Sequence, residues 1–297
     1  MSKAVNKIWI NGQVQEASLP VFMATDRGAL LGDGLFETIK VLAGQPCYFD
    51  DHWARLCTSA KFLNLPISFE RASTLQGLVS LTRCNGLTDG VARLTLSRGM
   101  GPRGLDLPVN PDPVMMLTTA HGLPHYDHAP VLGLSQIKRN ACSVSSCHKT
   151  LSYIDNIAAR MQQTSTIKRD EVVILDTDGH IASASAANLF WWDEQVLYTP
   201  ALGGAIIPGT MRARVLVKAH DLGMEIQEGL YRPAALLTAK GAFMTNALLG
   251  MQLLFGLDFG PEGAVRFTTH SSPSFMAFMA PLLSMLGGGA NKTSPPA

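Results

Sequence analysis

A short polar segment closed by two prolines divides this chain, and it constrains the fold more than any other feature. Residues 122–130 read Gly-Leu-Pro-His-Tyr-Asp-His-Ala-Pro, a composition typical of a linker between domains. Strand and helix patterns occur on both sides of it. The sequence therefore predicts one domain over residues 1–121, a linker over 122–130 and a second domain over 131–286. Residues 287–297 are mostly small and polar and predict a disordered tail.

Alternation and turn residues predict the elements of the first domain. Residues 7–15 predict a hairpin with Asn11-Gly12 at its turn, and residues 26–34 predict a loop between two Gly/Asp clusters. A strand is expected over 35–41, followed by a helix that Asp51 caps. A second helix is expected over 72–83, and further strands over 92–97 and 114–119.

The second domain shows the same mixture of patterns. Residues 171–176 predict a buried strand, and residues 188–199 predict a hairpin. Pro208-Gly209 opens a predicted helix that Gly223 ends. A strand over 131–137 and a helical segment over 154–161 complete the pattern. Hairpins and helices in two unequal halves predict an α/β or α+β fold.

Composition excludes several classes of protein. The 24 Lys and Arg residues nearly balance the 23 Asp and Glu residues, so the net charge of +1 argues against a protein that coats nucleic acid. With 46% apolar residues, most of the chain is not expected to be disordered. No apolar stretch is long enough to span a membrane. The five cysteines lack paired spacing and no signal peptide is visible, so we expect a cytoplasmic protein without a disulfide framework.

Three features carry candidate chemistry. Lys149 lies in a segment with few other charges, and an amine there can form a covalent bond with an aldehyde. Residues 207–212 open a helix whose free N–H groups can bind phosphate, and Arg55, Arg98 and Arg103 can bind anions. Each feature alone is more typical of a surface lysine, an ordinary helix start or a surface arginine. Together they indicate pyridoxal phosphate, and no residue spacing suits a metal site.

Eight motifs in a fixed order strengthen this interpretation. They are Asp26-Arg-Gly with Gly32-Asp-Gly-Leu-Phe-Glu-Thr, His52-x-x-Arg-Leu, Ser97-Arg-Gly-Met-Gly-Pro-Arg-Gly, His148-Lys-Thr-Leu-Ser-Tyr-Ile-Asp-Asn, Asp178-Gly-His-Ile with Ala186-Ala-Asn-Leu-Phe-Trp, Leu197-Tyr-Thr-Pro, Pro208-Gly-Thr-Met-Arg and Met244-Thr-Asn-Ala. Over about residues 8–283 the series resembles the fold-type IV pyridoxal-phosphate enzymes. These comprise branched-chain aminotransferases, D-amino-acid aminotransferases and 4-amino-4-deoxychorismate lyases, and the lyases are the most similar group.

The resemblance implies a small N-terminal α/β domain, a larger C-terminal pseudo-barrel α/β domain and assembly as a homodimer. It implies that Lys149 is the catalytic residue, which binds the cofactor covalently and shuttles protons. The cofactor-binding residues that it implies are Arg55, Lys149, Tyr153, Ser183, Asn188, Gly209, Thr210, Met211, Thr245 and Asn246. Thr38, Arg98 and Arg103 are the implied substrate residues.

One position departs from the family pattern. The family has a glutamate in Gly-x-Ile-x-Glu-x-x-x-x-Asn-Leu-Phe, and this chain has Ser183 there. The glutamate keeps the pyridine nitrogen of the cofactor protonated, whereas a serine can donate a hydrogen bond but cannot stabilise a full positive charge. Transamination depends on the strongly electron-withdrawing ring more than elimination does, so Ser183 favours a lyase.

The resemblance therefore implies a lyase that converts 4-amino-4-deoxychorismate to 4-aminobenzoate and pyruvate in folate biosynthesis. An aminotransferase of branched-chain or D-amino acids is the alternative. A catalytically altered pyridoxal-phosphate-binding paralogue is the second alternative.

Overall fold

The computed structural model describes residues 7–161, 170–193, 196–267 and 280–282. It divides into unit 1, Met1–Pro124 with His148–Ser152, and unit 2, His125–Cys147 with Tyr153–Ala297. The predicted tail over 287–297 lies outside the described residues. Within the described ranges, no helix has the length and apolar character needed to cross a membrane.

Unit 1 is built on a six-stranded sheet with the order β2-β1-β6-β5-β3-β4. The strands are β1 (Lys7–Ile10), β2 (Gln13–Glu16), β3 (Gly34–Leu42), β4 (Gln45–Pro46), β5 (Gly90–Ser97) and β6 (Val114–His121), and the helices are α1 (Arg27–Leu31), α2 (Phe49–Phe62) and α3 (Arg71–Cys84). The predicted hairpin is confirmed, because β1 and β2 pair antiparallel and Asn11 and Gly12 both have positive φ.

One face of this sheet forms the core of unit 1 with α2 and α3. The core includes Leu35 and Ile39 of β3, Leu56 of α2 and Leu78 of α3. Alternation in a strand places every second residue on the opposite face, so the neighbours of these core residues in β3 point away from the helices.

Two helix starts differ from the predictions. Residues 26–34 are not a continuous loop, because Asp26 accepts a hydrogen bond from the Ala29 N–H at 2.9 Å and caps α1, while Gly32, with φ 69°, ends it. The Asp and Gly residues that suggested a loop are therefore helix caps. The prediction that Asp51 caps α2 was also wrong. Tyr48 is the cap, and Asp51 lies in the first turn, where its charge favours the positive end of the helix dipole.

Unit 2 contains two five-stranded sheets, ordered β12-β11-β10-β13-β14 and β16-β15-β7-β8-β9. The strands are β7 (Val131–Arg139), β8 (Glu171–Asp176), β9 (Ile181–Ala184), β10 (Asn188–Trp192), β11 (Val196–Pro200), β12 (Glu225–Gly229), β13 (Gly241–Asn246), β14 (Gly250–Leu253), β15 (Gly256–Asp258) and β16 (Ala264–Arg266). The helices are α4 (Val144–Cys147), α5 (Ile154–Met161), α6 (Thr210–Asp221) and α7 (Pro233–Leu237), with a 3-10 turn at Gly260–Glu262.

The two sheets of unit 2 share an apolar core. It joins Val173 of β8 and Ile181 of β9 to Leu189 of β10 and Met244 of β13. All six residues of β8 are buried, as predicted for residues 171–176. The mixed strands and helices confirm the predicted α/β class of fold.

Candidate active site

Lys149 lies beside the first residues of β3. Its carbonyl accepts a hydrogen bond from the Phe36 N–H at 2.9 Å, and the Leu151 N–H donates to the Gly34 carbonyl at 3.0 Å. The sequence pattern assigned this segment to the second domain, but these backbone hydrogen bonds attach it to unit 1. The Nζ atom lies 4.2 Å from the centroid of the Phe36 ring, and the side chain is half-buried. The amine is thus carried on a segment that the sheet holds in place.

A second cation lies on the same ring. The Cζ atom of Arg93 is 3.8 Å from the Phe36 centroid, and Arg93 is paired with Thr38 across β3 and β5. Thr38, a predicted substrate residue, and Arg93 therefore share the sheet face that points away from the core helices. Sequence reasoning missed Arg93. The sequence did contain a signal for it. Arg93 lies between the apolar residues Ala92 and Leu94, which are buried, and alternation along a strand places Arg93 on the opposite face of the sheet.

Arg55 belongs to a buried charge cluster on the core side of the sheet. Its Nε donates to Glu37 Oε1 at 2.8 Å, and His52 Nδ1 is 2.7 Å from Glu37 Oε2. Burial opposes ionisation of Glu37, but the charge of Arg55 and the hydrogen bonds from His52 and Arg55 outweigh burial, so the pKa of Glu37 is lowered. An ionised Glu37 therefore fixes the orientation of the Arg55 guanidinium. The sequence motifs contained Glu37 without assigning it a role.

The two arginines predicted to bind substrate, Arg98 and Arg103, have different surroundings. Arg98 is buried and donates from Nε to Asp33 at 2.8 Å, from Nη1 to the Asn64 carbonyl at 2.8 Å and from Nη2 to the Leu63 carbonyl at 2.9 Å. These contacts favour a structural role for Arg98. Arg103 is exposed.

A cavity of about 390 Å³ lies beside Arg98, between the end of α2 and residues 107–111. Leu65, Pro66 and Leu107 contribute apolar surface to it, and Lys149 is not one of its lining residues.

In unit 2, the start of α6 has the features of an anion site. Thr210 and Met211 are buried, and no side chain caps the helix at Gly209. The first N–H groups of a helix have no partner within the helix, so a buried uncapped start requires an external acceptor. Gly209 is needed for close packing, because a Cβ atom there would lie 1.9 Å from Asn188 Oδ1. Asn188 also donates to the Ile207 carbonyl at 3.1 Å, which fixes the chain entering the helix.

An unpartnered hydroxyl adjoins this helix start. Thr245 is paired with Asn188 across β10 and β13, and its buried Oγ1 has no hydrogen-bond partner among the described residues. Asn246 forms the following turn, because its Oδ1 accepts from the N–H groups of Leu248 and Leu249 at 3.0 and 2.8 Å. Free N–H groups and a spare hydroxyl at a helix start fit a phosphate group. The predicted residues Asn188, Gly209, Thr210, Met211, Thr245 and Asn246 are therefore brought together.

Ser183 and Tyr153 lie elsewhere in unit 2. Ser183 of β9 is buried, and its Oγ accepts a hydrogen bond from Arg139 Nη1 at 2.7 Å and donates to the Ala184 carbonyl at 2.7 Å. Tyr153 precedes α5, is half-buried and accepts the Ile157 N–H at its carbonyl. Sequence reasoning missed Arg139, since a strand ending in Lys-Arg-Asn resembles an exposed terminus.

The profile of the amino-transferase class IV family matches residues 34–253. The chain therefore belongs to this family, which is consistent with the fold-type IV resemblance of its motifs.

Individual relatives include both lyases and aminotransferases. The chain is 32% identical to an aminodeoxychorismate lyase of Bacillus subtilis over 82% of this chain and 83% of that protein. It is 29% identical to a putative branched-chain-amino-acid aminotransferase of Methanocaldococcus jannaschii over 85% of this chain and 88% of that protein. Among solved structures, 4-amino-4-deoxychorismate lyase from Pseudomonas aeruginosa matches with a TM-score of 0.80 and 27% identity, covering 94% of this chain and 99% of that one.

Proposed function

We propose that this protein is a lyase that converts 4-amino-4-deoxychorismate to 4-aminobenzoate and pyruvate, a reaction of folate biosynthesis. The observation that carries the proposal is Ser183, whose hydroxyl binds a guanidinium where the family pattern has a carboxylate. Such surroundings weaken electron withdrawal by the cofactor ring, which harms transamination more than an elimination driven by aromatisation. The similarity to lyases of Bacillus subtilis and Pseudomonas aeruginosa supports the same reaction.

The cofactor is pyridoxal phosphate. Its phosphate fits the start of α6, where the N–H groups of Thr210 and Met211 and the hydroxyl of Thr245 supply donors. Arg55, whose guanidinium is held by Glu37 within unit 1, stays a predicted cofactor-binding residue. When bound, the cofactor supplies an aldehyde that links to amines and a conjugated ring that withdraws electrons from the neighbouring bonds.

Lys149 is the proposed base and acid of the reaction. Its Nζ removes the proton from the amine-bearing ring carbon of the substrate as the bond between the ring and the enolpyruvyl oxygen breaks. The same amine then returns a proton to the methylene carbon of the leaving fragment, which becomes pyruvate. The ring is left aromatic, and no oxidant, water or amino acceptor is consumed.

Arg93 and Thr38 are the proposed contacts for a substrate carboxylate. They share one sheet face beside Phe36, whose ring the amine of Lys149 also contacts. A guanidinium binds a carboxylate through charge-assisted hydrogen bonds, and a threonine hydroxyl can add another. Arg93 takes this role because it lies on that face, whereas the contacts of Arg98 with Asp33 and the Asn64 carbonyl favour a structural role.

The test is release of pyruvate from 4-amino-4-deoxychorismate by protein loaded with pyridoxal phosphate, without any 2-oxo acid. We expect pyruvate and 4-aminobenzoate in equal amounts from the wild type and none above background from Lys149→Ala. Lys138→Ala, which changes a lysine in β7, is the matched control and should retain the rate. Pyruvate release at the wild-type rate from Lys149→Ala would refute the catalytic assignment.

An aminotransferase is the second candidate, because the relatives include a putative branched-chain-amino-acid aminotransferase. A panel of branched-chain and D-amino acids with 2-oxo acids, assayed on the same sample, distinguishes the two. Amino transfer without pyruvate release would establish this candidate. A sample that binds the cofactor but does neither would establish a catalytically altered paralogue.

We also propose that the protein is a cytoplasmic homodimer. Apolar side chains of unit 1 are strongly exposed in one segment, with Leu105 at 82% and Val109 at 95%. Contact with a second copy would remove this surface from water. The five cysteines are free, and a reducing compartment keeps them so. Light scattering on the eluted protein tests the dimer, and a monomeric mass at micromolar concentration would contradict it.

A further inference from the structure

The guanidinium of Arg139 is buried without a carboxylate partner. Its Nη1 donates to Ser183 Oγ at 2.7 Å and to the Ala205 carbonyl at 3.4 Å, and the residue is 5% exposed. Among the residues described by the structure, none forms an ion pair with it. Buried cations are ordinarily paired with anions, so this arrangement is unusual for a position with only a structural role.

The cation adjoins the proposed phosphate site within unit 2. Ala205 packs with Ala182 of β9, and four residues later Gly209 precedes α6. One short segment therefore links the surroundings of Ser183 to the start of the helix. The residues proposed to hold the cofactor phosphate and those proposed to face its ring nitrogen would therefore both be supplied by unit 2.

We infer that Arg139 is a positioning residue that keeps the ring nitrogen of pyridoxal phosphate uncharged. The inference rests on the proposed cofactor role of Ser183. The Ser183 oxygen accepts from Arg139, so the serine can turn its one proton from the Ala184 carbonyl to an uncharged nitrogen. A second positive charge on that nitrogen is disfavoured by the adjacent guanidinium.

The groups around Arg139 do not remove its charge. Burial lowers the pKa of Arg139, and Tyr153, Asp155 and Glu171 oppose that effect. Arginine remains protonated in proteins at any pH used for assay. The cation at Ser183 is therefore permanent, and a neutral ring limits the electron withdrawal available to the enzyme.

The experiment measures the ¹⁵N chemical shift of cofactor labelled at the pyridine nitrogen, bound to the full-length protein. We expect a shift in the pyridine range for the wild type at neutral pH and in the pyridinium range for Ser183→Glu. Arg139→Lys keeps the charge and should retain the pyridine shift, whereas Arg139→Gln should move the shift toward the pyridinium value as the pH is lowered. Ser135→Ala, which changes a buried serine in β7, is the control, and its shift should match that of the wild type.

A pyridinium shift in the wild type would overturn the inference. So would an Arg139→Gln shift that follows the wild type at every pH, because Ser183 alone would then determine the protonation. If Arg139→Gln does not fold, the comparison of Ser183→Glu with the wild type still decides the charge of the nitrogen. The readout is independent of turnover, so absence of pyruvate release would refute the proposed lyase while leaving this result intact.

Discussion

Glu37 accepts two hydrogen bonds from Arg55, from Nε at 2.8 Å and from Nη2 at 2.5 Å, inside unit 1. The carboxylate is 2% exposed and the guanidinium 12% exposed. A pair of this kind contributes little through its own attraction, but removing one partner leaves a desolvated charge uncompensated. These two hydrogen bonds mean that Glu37 determines the orientation of the Arg55 guanidinium.

Replacement of this carboxylate should destabilise the protein. Glu37→Gln is expected to lower the free energy of unfolding by about 3–5 kcal/mol, because Arg55 stays buried without its anion. Urea unfolding followed by fluorescence measures the change. Glu16→Gln is the matched control, since the ion pair between Glu16 and Lys7 is exposed and should be worth less than about 1 kcal/mol. Equal effects of the two substitutions would contradict the buried pair.

The same cluster should give stability a specific pH dependence. The pKa of Glu37 is lowered from its ordinary value of 4.5, so the folded protein binds the proton of this group more weakly than the unfolded chain does. Its contribution is therefore complete above about pH 4.5 and is lost as the pH falls through the lower pKa of the folded state. The difference in unfolding free energy between wild type and Glu37→Gln should be constant from pH 7 to 5 and should shrink below that. A difference that grows toward acid would refute the assignment.

Close packing at the start of α6 should make Gly209 intolerant of a methyl group. A Cβ atom at this position would overlap Asn188 Oδ1, so Gly209→Ala should displace the helix start. We expect binding of pyridoxal phosphate to weaken about tenfold, corresponding to roughly 1.4 kcal/mol. Fluorescence titration of the apoprotein measures the affinity. Gly204→Ala is the control, because its Cβ would meet the nearest atom at an ordinary 3.4 Å.

Much of the fold follows from local sequence patterns. The hairpin at Asn11-Gly12 and the helix between Gly209 and Gly223 depend on residues adjacent in the chain, and both were predicted correctly. The strands β14, β15 and β16 were not predicted, because they span only three or four residues each and are too short to show a period.

The site was harder to predict where it depends on distant contacts. Lys149 and the start of α6 stand in recognisable motifs, whereas the contact between Arg139 and Ser183 joins residues 44 positions apart. Glu37 stood in a motif as well, but its role appears only when α2 brings Arg55 against β3. Sequence periodicity predicts the face on which a side chain lies, and it does not predict the partner across the core.

The unpartnered hydroxyl of Thr245 allows a test that separates binding from stability. Its buried Oγ1 lacks a hydrogen-bond partner among the described residues, so Thr245→Val, which keeps the shape, should not destabilise the apoprotein. The same substitution should weaken pyridoxal phosphate binding by about 1.5–3 kcal/mol if the hydroxyl donates to the phosphate. Thr199→Val is the control, because Thr199 Oγ1 donates to the Leu189 carbonyl at 2.8 Å and its loss should destabilise the fold. Unchanged affinity in Thr245→Val would remove Thr245 from the phosphate site.

Replacing Arg93 should change the KM of the enzyme, whereas replacing Arg98 should change the free energy of unfolding. Arg98→Gln removes a guanidinium bound to Asp33 and two carbonyls, so we expect a loss of about 3 kcal/mol in unfolding free energy. Arg93→Gln, on the half-buried sheet face beside Phe36, should leave stability nearly unchanged and raise KM for 4-amino-4-deoxychorismate by about tenfold or more. Steady-state kinetics and urea unfolding of both variants provide the comparison. A raised KM in Arg98→Gln with wild-type stability would restore Arg98 as the substrate residue, because a structural arginine cannot be removed without cost to the fold.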